Sequence, residues 1–151
     1  MKIEEMLKQL QHIYENMMPF NKLLGIKISN LTPDETLVRI DMREEFIGNF
    51  VRGILHGGVI SSVLDLTGGL IASVDLLNQL ENKSIEEISK RMTRIGTIDM
   101  RVDYLRAGSG EFFIASGSIL RRGNKVAVVR TELVNDDNLL IAAGTGTYLV
   151  G

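Results

Sequence analysis

One carboxylate stands alone in the most apolar stretch of the chain. From Val59 to Val74 the only charged side chain is Asp65. Burying a carboxylate among apolar neighbours costs hydration that they cannot replace, so a carboxylate kept there is either paired or used. Just ahead lies Asn49-Phe50-Val51-Arg52-Gly53-Ile54-Leu55-His56-Gly57-Gly58, a loop that ends in His-Gly-Gly and opens into that apolar segment. The first N–H groups of a helix have no internal partners and lie at the positive end of its dipole. Gly57 and Gly58 therefore offer donors to a developing oxyanion. A carboxylate, an imidazole and free N–H groups together are the parts of an acyl-transfer site.

In one helix, His56 and Asp65 lie about 13.5 Å apart along the axis and on opposite faces, at ~1.5 Å and ~100° per residue. They cannot act on the same carbonyl from the same chain, so joint catalysis needs a second subunit. Structural roles compete with these. Ser61, Ser62 or backbone donors would satisfy Asp65, His56 would cap the helix, and Gly57 and Gly58 would serve a tight turn. Thr97 opens a strand, where β-branched residues are common in any case. Asp75, Glu86 and Glu87 are expected to face solvent, and His12 to lie on the surface.

The elements that must position these residues follow from periodicity and punctuation. Ile3, Met6, Leu7, Leu10, Ile13, Tyr14 and Met17 recur at helical spacing, which predicts an amphipathic helix over 1–18 that ends at Met17-Met18-Pro19. Gly25–Asn30 and Glu35–Met42 read as strands joined at Thr32-Pro33-Asp34. The apolar helix is expected from Gly57 to about Leu77. Ser84-Ile85-Glu86-Glu87 is a capping box for a shorter helix reaching about Arg94. Strands are predicted at about 96–106, 110–121, 125–135 and 139–150, joined by hairpin-like turns at Gly108-Ser109-Gly110, Arg122-Gly123-Asn124 and Asn135-Asp136-Asp137-Asn138. The expected fold class is α+β: an antiparallel sheet with a four-stranded meander, wrapped around one long helix. That helix is apolar all round, so its uncovered face predicts a dimer. Gly68-Gly69 in its middle implies close approach of something else.

The chain has 151 residues, suiting one domain spanning 1–151. Its net charge of −2 supplies no basic field for nucleic acid. With no cysteine and two histidines, zinc sites of Cys and His, disulfides and thiol catalysis are excluded, and no metal or cofactor is expected. No signal peptide is read at the start and no apolar run is expected to span a bilayer, so a cytoplasmic location is the default.

The pattern Asn49…Leu55-His56-Gly57-Gly58-Val59…Asp65 resembles the hotdog-fold acyl-CoA thioesterases of the PaaI-like type. Gly96-Thr97-Ile98-Asp99-Met100-Arg101-Val102-Asp103-Tyr104-Leu105-Arg106, with Arg121-Arg122-Gly123-Asn124-Lys125-Val126-Ala127-Val128, is similar to the YigI-like branch of that superfamily. Pro19-Phe20-Asn21 and Thr145–Gly151 extend the likeness over nearly the whole chain.

The resemblance implies hydrolysis of acyl-CoA, with medium to long acyl groups. It implies Asp65 as general base or nucleophile, the Gly57 N–H polarising the thioester carbonyl, His56 and Asn49 holding the thioester, and Thr97 binding the attacking water. Asn49 stands seven residues before His56 where six is expected, with Arg52 as a charged alternative in the same loop. For coenzyme A it implies phosphate contacts from Gly58 and from the turn Arg121, Arg122, Gly123, Asn124 and Lys125. That turn reads equally as a solvated hairpin tip. Arg101 alternates with Asp99 and Asp103 on one strand face, as in a cross-strand ion-pair ladder or a subunit contact. Shared sites in a homodimer, and dimers paired into tetramers, are also implied. The segment 76–95 is long for a connector, and its Ile85, Ile88 and Met92 stripe is expected either to cover the end of an acyl channel or to pack outside it. A hotdog hydratase or dehydratase and a non-catalytic acyl-CoA binding protein are the other two classes.

Overall fold

The computed structural model describes residues 1–151. Helix α1 runs Ile3–His12 and is followed without a break by a π-helical turn, Ile13–Met17. This helical run ends at Met17-Met18-Pro19 as expected, with Met18 extended at φ −80° and ψ 113°. Pro19 then opens a separate helix, α2, Pro19–Leu24, because the missing N–H of proline is no loss at a first helical position. Strands β1 (Lys27–Leu31) and β2 (Thr36–Asp41) form the expected hairpin. Two short strands, β3 (Ile47–Asn49) and β4 (Ile54–Leu55), pair across the loop that leads to His56.

Helix α3 then runs Gly57–Leu80, one turn beyond the predicted end. α4 follows at Ile85–Met92, capped by the Ser84 hydroxyl, which accepts from the Glu87 N–H at 3.2 Å. Four long strands complete the chain: β5 (Gly96–Tyr104), β6 (Phe112–Arg122), β7 (Val126–Asn135) and β8 (Leu140–Leu149).

The sheet is six-stranded and antiparallel in the order β1-β2-β6-β7-β8-β5. The predicted four-strand meander is therefore corrected: only β6, β7 and β8 are consecutive neighbours. β5 pairs with β8 at the far edge, and Gly108-Ser109-Gly110 is part of a crossing rather than a hairpin turn. The linker from Leu105 to Glu111 must pass three strand spacings, roughly 14 Å, which seven residues span easily. It is tied down on the way: the Gly108 carbonyl accepts from the Leu55 N–H at 3.0 Å, and the Asn135 side-chain amide donates to the Ser109 carbonyl at 2.9 Å. Turn residues alone did not distinguish this crossing from a hairpin.

The sheet curves around α3. Ala127, Val129, Thr131 and Leu133 alternate inward along β7 and meet Val63, Leu64 and Leu70 of the helix, all buried. Contrary to the expectation that no run is long enough, α3 has the length and hydropathy to cross a membrane, with a mean of 1.5, but 72% of that stretch is buried inside the protein. Its apolarity is spent on the core. Asp75, expected in solvent, is 7% exposed. α3 carries it beneath the end of β6, where Arg122, 47 residues away in sequence, forks onto its carboxylate, Nε donating at 2.8 Å, and Gln79 donates at 2.8 Å. Arg101 pairs with Asp103 along its own strand at 3.1 Å rather than across to β8, where the opposite residues are uncharged.

Candidate active site

Asp65 emerges half-buried from the middle of α3. The Thr97 hydroxyl, at the start of β5, donates to Asp65 Oδ1 at 2.8 Å. The Tyr148 hydroxyl, near the end of β8, donates to the Asp65 backbone carbonyl at 3.0 Å and reaches Oδ1 at 3.3 Å. Ser61 and Ser62 are not its partners, since both hydroxyls donate to the Gly58 carbonyl, at 3.2 and 2.7 Å. Asp65 Oδ2 has no hydrogen bond from the protein, so one oxygen is held and the other is free.

Tyr148 is 1% exposed and lies where α3 and β8 both lack side chains. A Cβ on Gly68 would collide with its hydroxyl, and one on Gly146 would come within 2.6 Å of its ring. The Gly68-Gly69 gap thus seats two tyrosines of this same chain. Beside Tyr148, a Cβ on Gly69 would sit 3.4 Å from the Tyr14 hydroxyl. Burial pushes both phenols above their ordinary value of 10.0, and the nearby Asp65 charge pushes further. Both stay neutral O–H donors throughout the physiological range.

At the other end of α3, His56 is the N-cap. Its Nδ1 accepts from the Gly58 N–H at 2.8 Å. That bond settles the tautomer: a neutral ring accepting at Nδ1 carries its proton on Nε2, and the residue is exposed. It also consumes the Gly58 donor and leaves the Gly57 N–H without an acceptor. The Tyr104 hydroxyl, at the end of β5, donates to the Gly57 carbonyl at 3.1 Å and fixes that peptide. Asn49 is exposed at the end of β3, its side-chain oxygen accepting from the Arg52 N–H at 3.3 Å.

The predicted site residues therefore fall into three groups within one chain. Asp65 and Thr97 are together, with Tyr148. Asn49, His56, Gly57 and Gly58 cluster at the helix start and do not line the cleft at Asp65. Arg121, Arg122, Gly123, Asn124 and Lys125 form the β6–β7 turn against the C-terminus, where the Lys125 carbonyl accepts from the Val150 N–H at 2.8 Å. Arg122 is committed to Asp75, leaving Arg121 and Lys125 as the unpaired cations of that turn.

Sequence reasoning missed the tyrosines. The chain has three, and all three touch the site. The signal was present in Gly68-Gly69 opposite Gly144-x-Gly146, small residues on two packed elements that leave room for a ring.

The Asp65 cleft holds about 140 Å³. A larger cavity of about 480 Å³ adjoins it, walled mainly by apolar side chains of α1, α3 and α4.

Residues 52–142 match the thioesterase superfamily profile. A protein of Escherichia coli strain K12 named medium/long-chain acyl-CoA thioesterase YigI is 44% identical over 148 residues, which are 98% of this chain and 96% of that one. A solved structure from Shewanella oneidensis, described as related to the thioesterase superfamily, is 46% identical. It superposes with a TM-score of 0.95 over 99% of this chain and 97% of its own. Zebrafish thioesterase superfamily member 2 shares the fold at a TM-score of 0.74 and 21% identity, over 96% of this chain and 98% of its own.

Proposed function

We propose that this chain, which belongs to the thioesterase superfamily, hydrolyses acyl-CoA thioesters to free acid and coenzyme A. The observation that carries the reading is the carboxylate of Asp65, half-buried in an apolar helix with Oδ1 held by Thr97 and Tyr148 and Oδ2 free. A water at Oδ2 gives up its proton to Asp65 as it attacks the thioester carbon. Thr97 donates its only hydrogen to Asp65, so its oxygen is available to accept the other hydrogen of that water. The carbonyl oxygen, becoming an oxyanion, is met by the Gly57 N–H and the α3 dipole, with His56 Nε2–H beside it. Collapse of the oxyanion breaks the acyl C–S bond, and the departing coenzyme A thiolate takes up the proton held by Asp65, leaving the free acid. Direct attack by Asp65, which expels the thiolate to give an anhydride that water then opens, uses the same groups.

The two halves of this machinery lie at different places on α3, so the complete site forms between two copies. The exposed edge strand β5 supports the reading, because it contacts both halves: Thr97 bonds Asp65 and Tyr104 bonds Gly57. The dimer, its pairing into a tetramer and a cytoplasmic location belong to this proposal. So does one hotdog domain over 1–151. At the β6–β7 turn, Arg121, Lys125 and the backbone of Gly123 and Asn124 meet the phosphates of coenzyme A, and Arg122 buttresses the turn through Asp75. Medium to long acyl groups follow the activity named for the Escherichia coli relative.

The test is release of coenzyme A from short to long acyl-CoAs, read with a thiol dye. The protein has no cysteine to react. Asp65→Asn is expected to lose on the order of 10² or more in kcat while remaining folded. Release by neither protein refutes the proposal, and hydration of enoyl-CoA is then the reaction to assay.

A further inference from the structure

We propose that Tyr14 is the gate through which a long acyl chain passes from the Asp65 cleft into the apolar cavity, and so sets chain-length preference. This rests on the thioesterase reading above. The cleft is small, about 140 Å³, and the cavity beyond it about 480 Å³. Tyr14, Met18 and Ile95 line both, so the two are neighbours divided by these side chains. The far side is walled by Met6, Leu10, Leu77, Ile88 and Met92. Four of the chain's seven methionines, Met1, Met6, Met18 and Met92, border this one space. Unbranched thioethers adapt to occupants of different length.

Tyr14 is held in a way that permits movement. Its hydroxyl lies 3.4 Å from Ser73 Oγ, at the long limit of a hydrogen bond. Ser73 gives its own proton to the Gly69 carbonyl at 2.7 Å, so the proton between Tyr14 and Ser73 is Tyr14's. That single long bond is the only polar hold on the ring. Its backbone lies in the π-helical turn Ile13–Met17, where the Met18 N–H reaches back five residues to the Ile13 carbonyl at 3.1 Å. Such turns interrupt the regular helical ladder and recur at functional sites. A short acyl group stays in the cleft and leaves the bond intact. A longer one swings the ring aside, and each methylene beyond it is removed from water, worth about fourfold in binding.

The experiment uses two variants that leave Asp65, Thr97 and Tyr148 untouched. Tyr14→Phe keeps the ring and removes its hold. Ser89→Trp, on α4 where Ser89 borders the cavity, fills the far space. Over saturated acyl-CoAs from four to sixteen carbons, Tyr14→Phe is expected to raise the long-to-short ratio of kcat/KM at least threefold. Ser89→Trp is expected to lower the ratio tenfold or more while sparing butyryl-CoA. Calorimetric binding of the same series to Asp65→Asn separates this proposal from the reading beneath it. Affinity that climbs with chain length, and stops climbing in Asp65→Asn/Ser89→Trp, supports the cavity even where wild type releases no coenzyme A, in which case only the hydrolysis reading fails. Affinity independent of chain length, or a long-to-short ratio unmoved in Tyr14→Phe, overturns the gate.

Discussion

Replacing Tyr148 with Phe removes one hydroxyl and nothing else. That hydroxyl shares its proton between the Asp65 carbonyl at 3.0 Å and Oδ1 at 3.3 Å, while Thr97 holds Oδ1 at 2.8 Å. A hydrogen bond to a charged group is worth about 1.5–3 kcal/mol. Here the bond is long and divided, and a second donor remains, so about 1.4 kcal/mol is the reasonable loss, or roughly tenfold in kcat. KM should stay within about twofold, because the ring still fills the space over Gly68 and no substrate contact is removed.

Steady-state kinetics on one long acyl-CoA, with thermal denaturation to check the fold, measures both constants. A Phe variant with wild-type kcat would show that Tyr148 merely fills space, and the account of how Asp65 is held would be refuted.

Further outcomes follow from the contacts of the two glycines, the tyrosines and His56. Gly68→Ala drives a Cβ into the Tyr148 hydroxyl and should cost about 1–3 kcal/mol in denaturant unfolding, with kcat falling as the ring is displaced. Gly69→Ala, whose Cβ meets the Tyr14 hydroxyl at 3.4 Å, should be neutral or stabilising by up to about 1 kcal/mol from helix propensity. Tyr14 and Tyr148 have raised values when folded, so the unfolded chain releases these protons first, at the ordinary 10.0. Their contribution to stability is complete below that pH and lost above it, by up to about 1.4 kcal/mol per pH unit for each. Urea unfolding between pH 9 and 11 should therefore be flatter in Tyr14→Phe/Tyr148→Phe. Finally, His56→Asn keeps a cap and removes the Nε2–H, so unfolding should stay within about 0.5 kcal/mol of wild type while kcat/KM falls about 10–100-fold. His56→Ala should lose about 1 kcal/mol of stability as well.

Much of this was legible before any coordinates. Alternating apolar residues mark the strands, the capping box marks α4, and an apolar run with Asp65 as its only charge marks the centre of the fold. What stayed hidden was non-local. The crossing from β5 to β6 carries the same glycine and serine punctuation as a hairpin, and only the pairing of β5 with β8 reveals it. Asp75 looked like an ordinary helix-surface acid because its partner, Arg122, is 47 residues away. The tyrosines went unassigned for the same reason: Tyr148 is 83 residues from the carboxylate it serves. His56 reads from the sequence as either a cap or a catalytic group, and the structure shows the cap. With Nδ1 occupied by the Gly58 N–H, Nε2–H is the only proton the ring can offer.

Within a chain, Asp65 is met by Thr97 and Tyr148, while His56 and Gly57 stand about 12–13.5 Å away along the helix. No rotation of side chains closes that gap on a single thioester carbon. If hydrolysis needs both halves, an Asp65→Asn homodimer and a His56→Ala homodimer each lack part of every site. A mixed dimer carries one doubly defective site and one intact site. Random subunit exchange makes half the dimers mixed, so the pooled rate should return to about one quarter of wild type, from near zero in either parent. Refolding the two variants together and assaying coenzyme A release measures it directly. Recovery near a quarter requires catalysis across the interface. A pool no faster than the average of its parents, with mixed dimers shown by native mass spectrometry, means that each chain works alone and that His56 and Gly57 act on something other than the thioester Asp65 attacks.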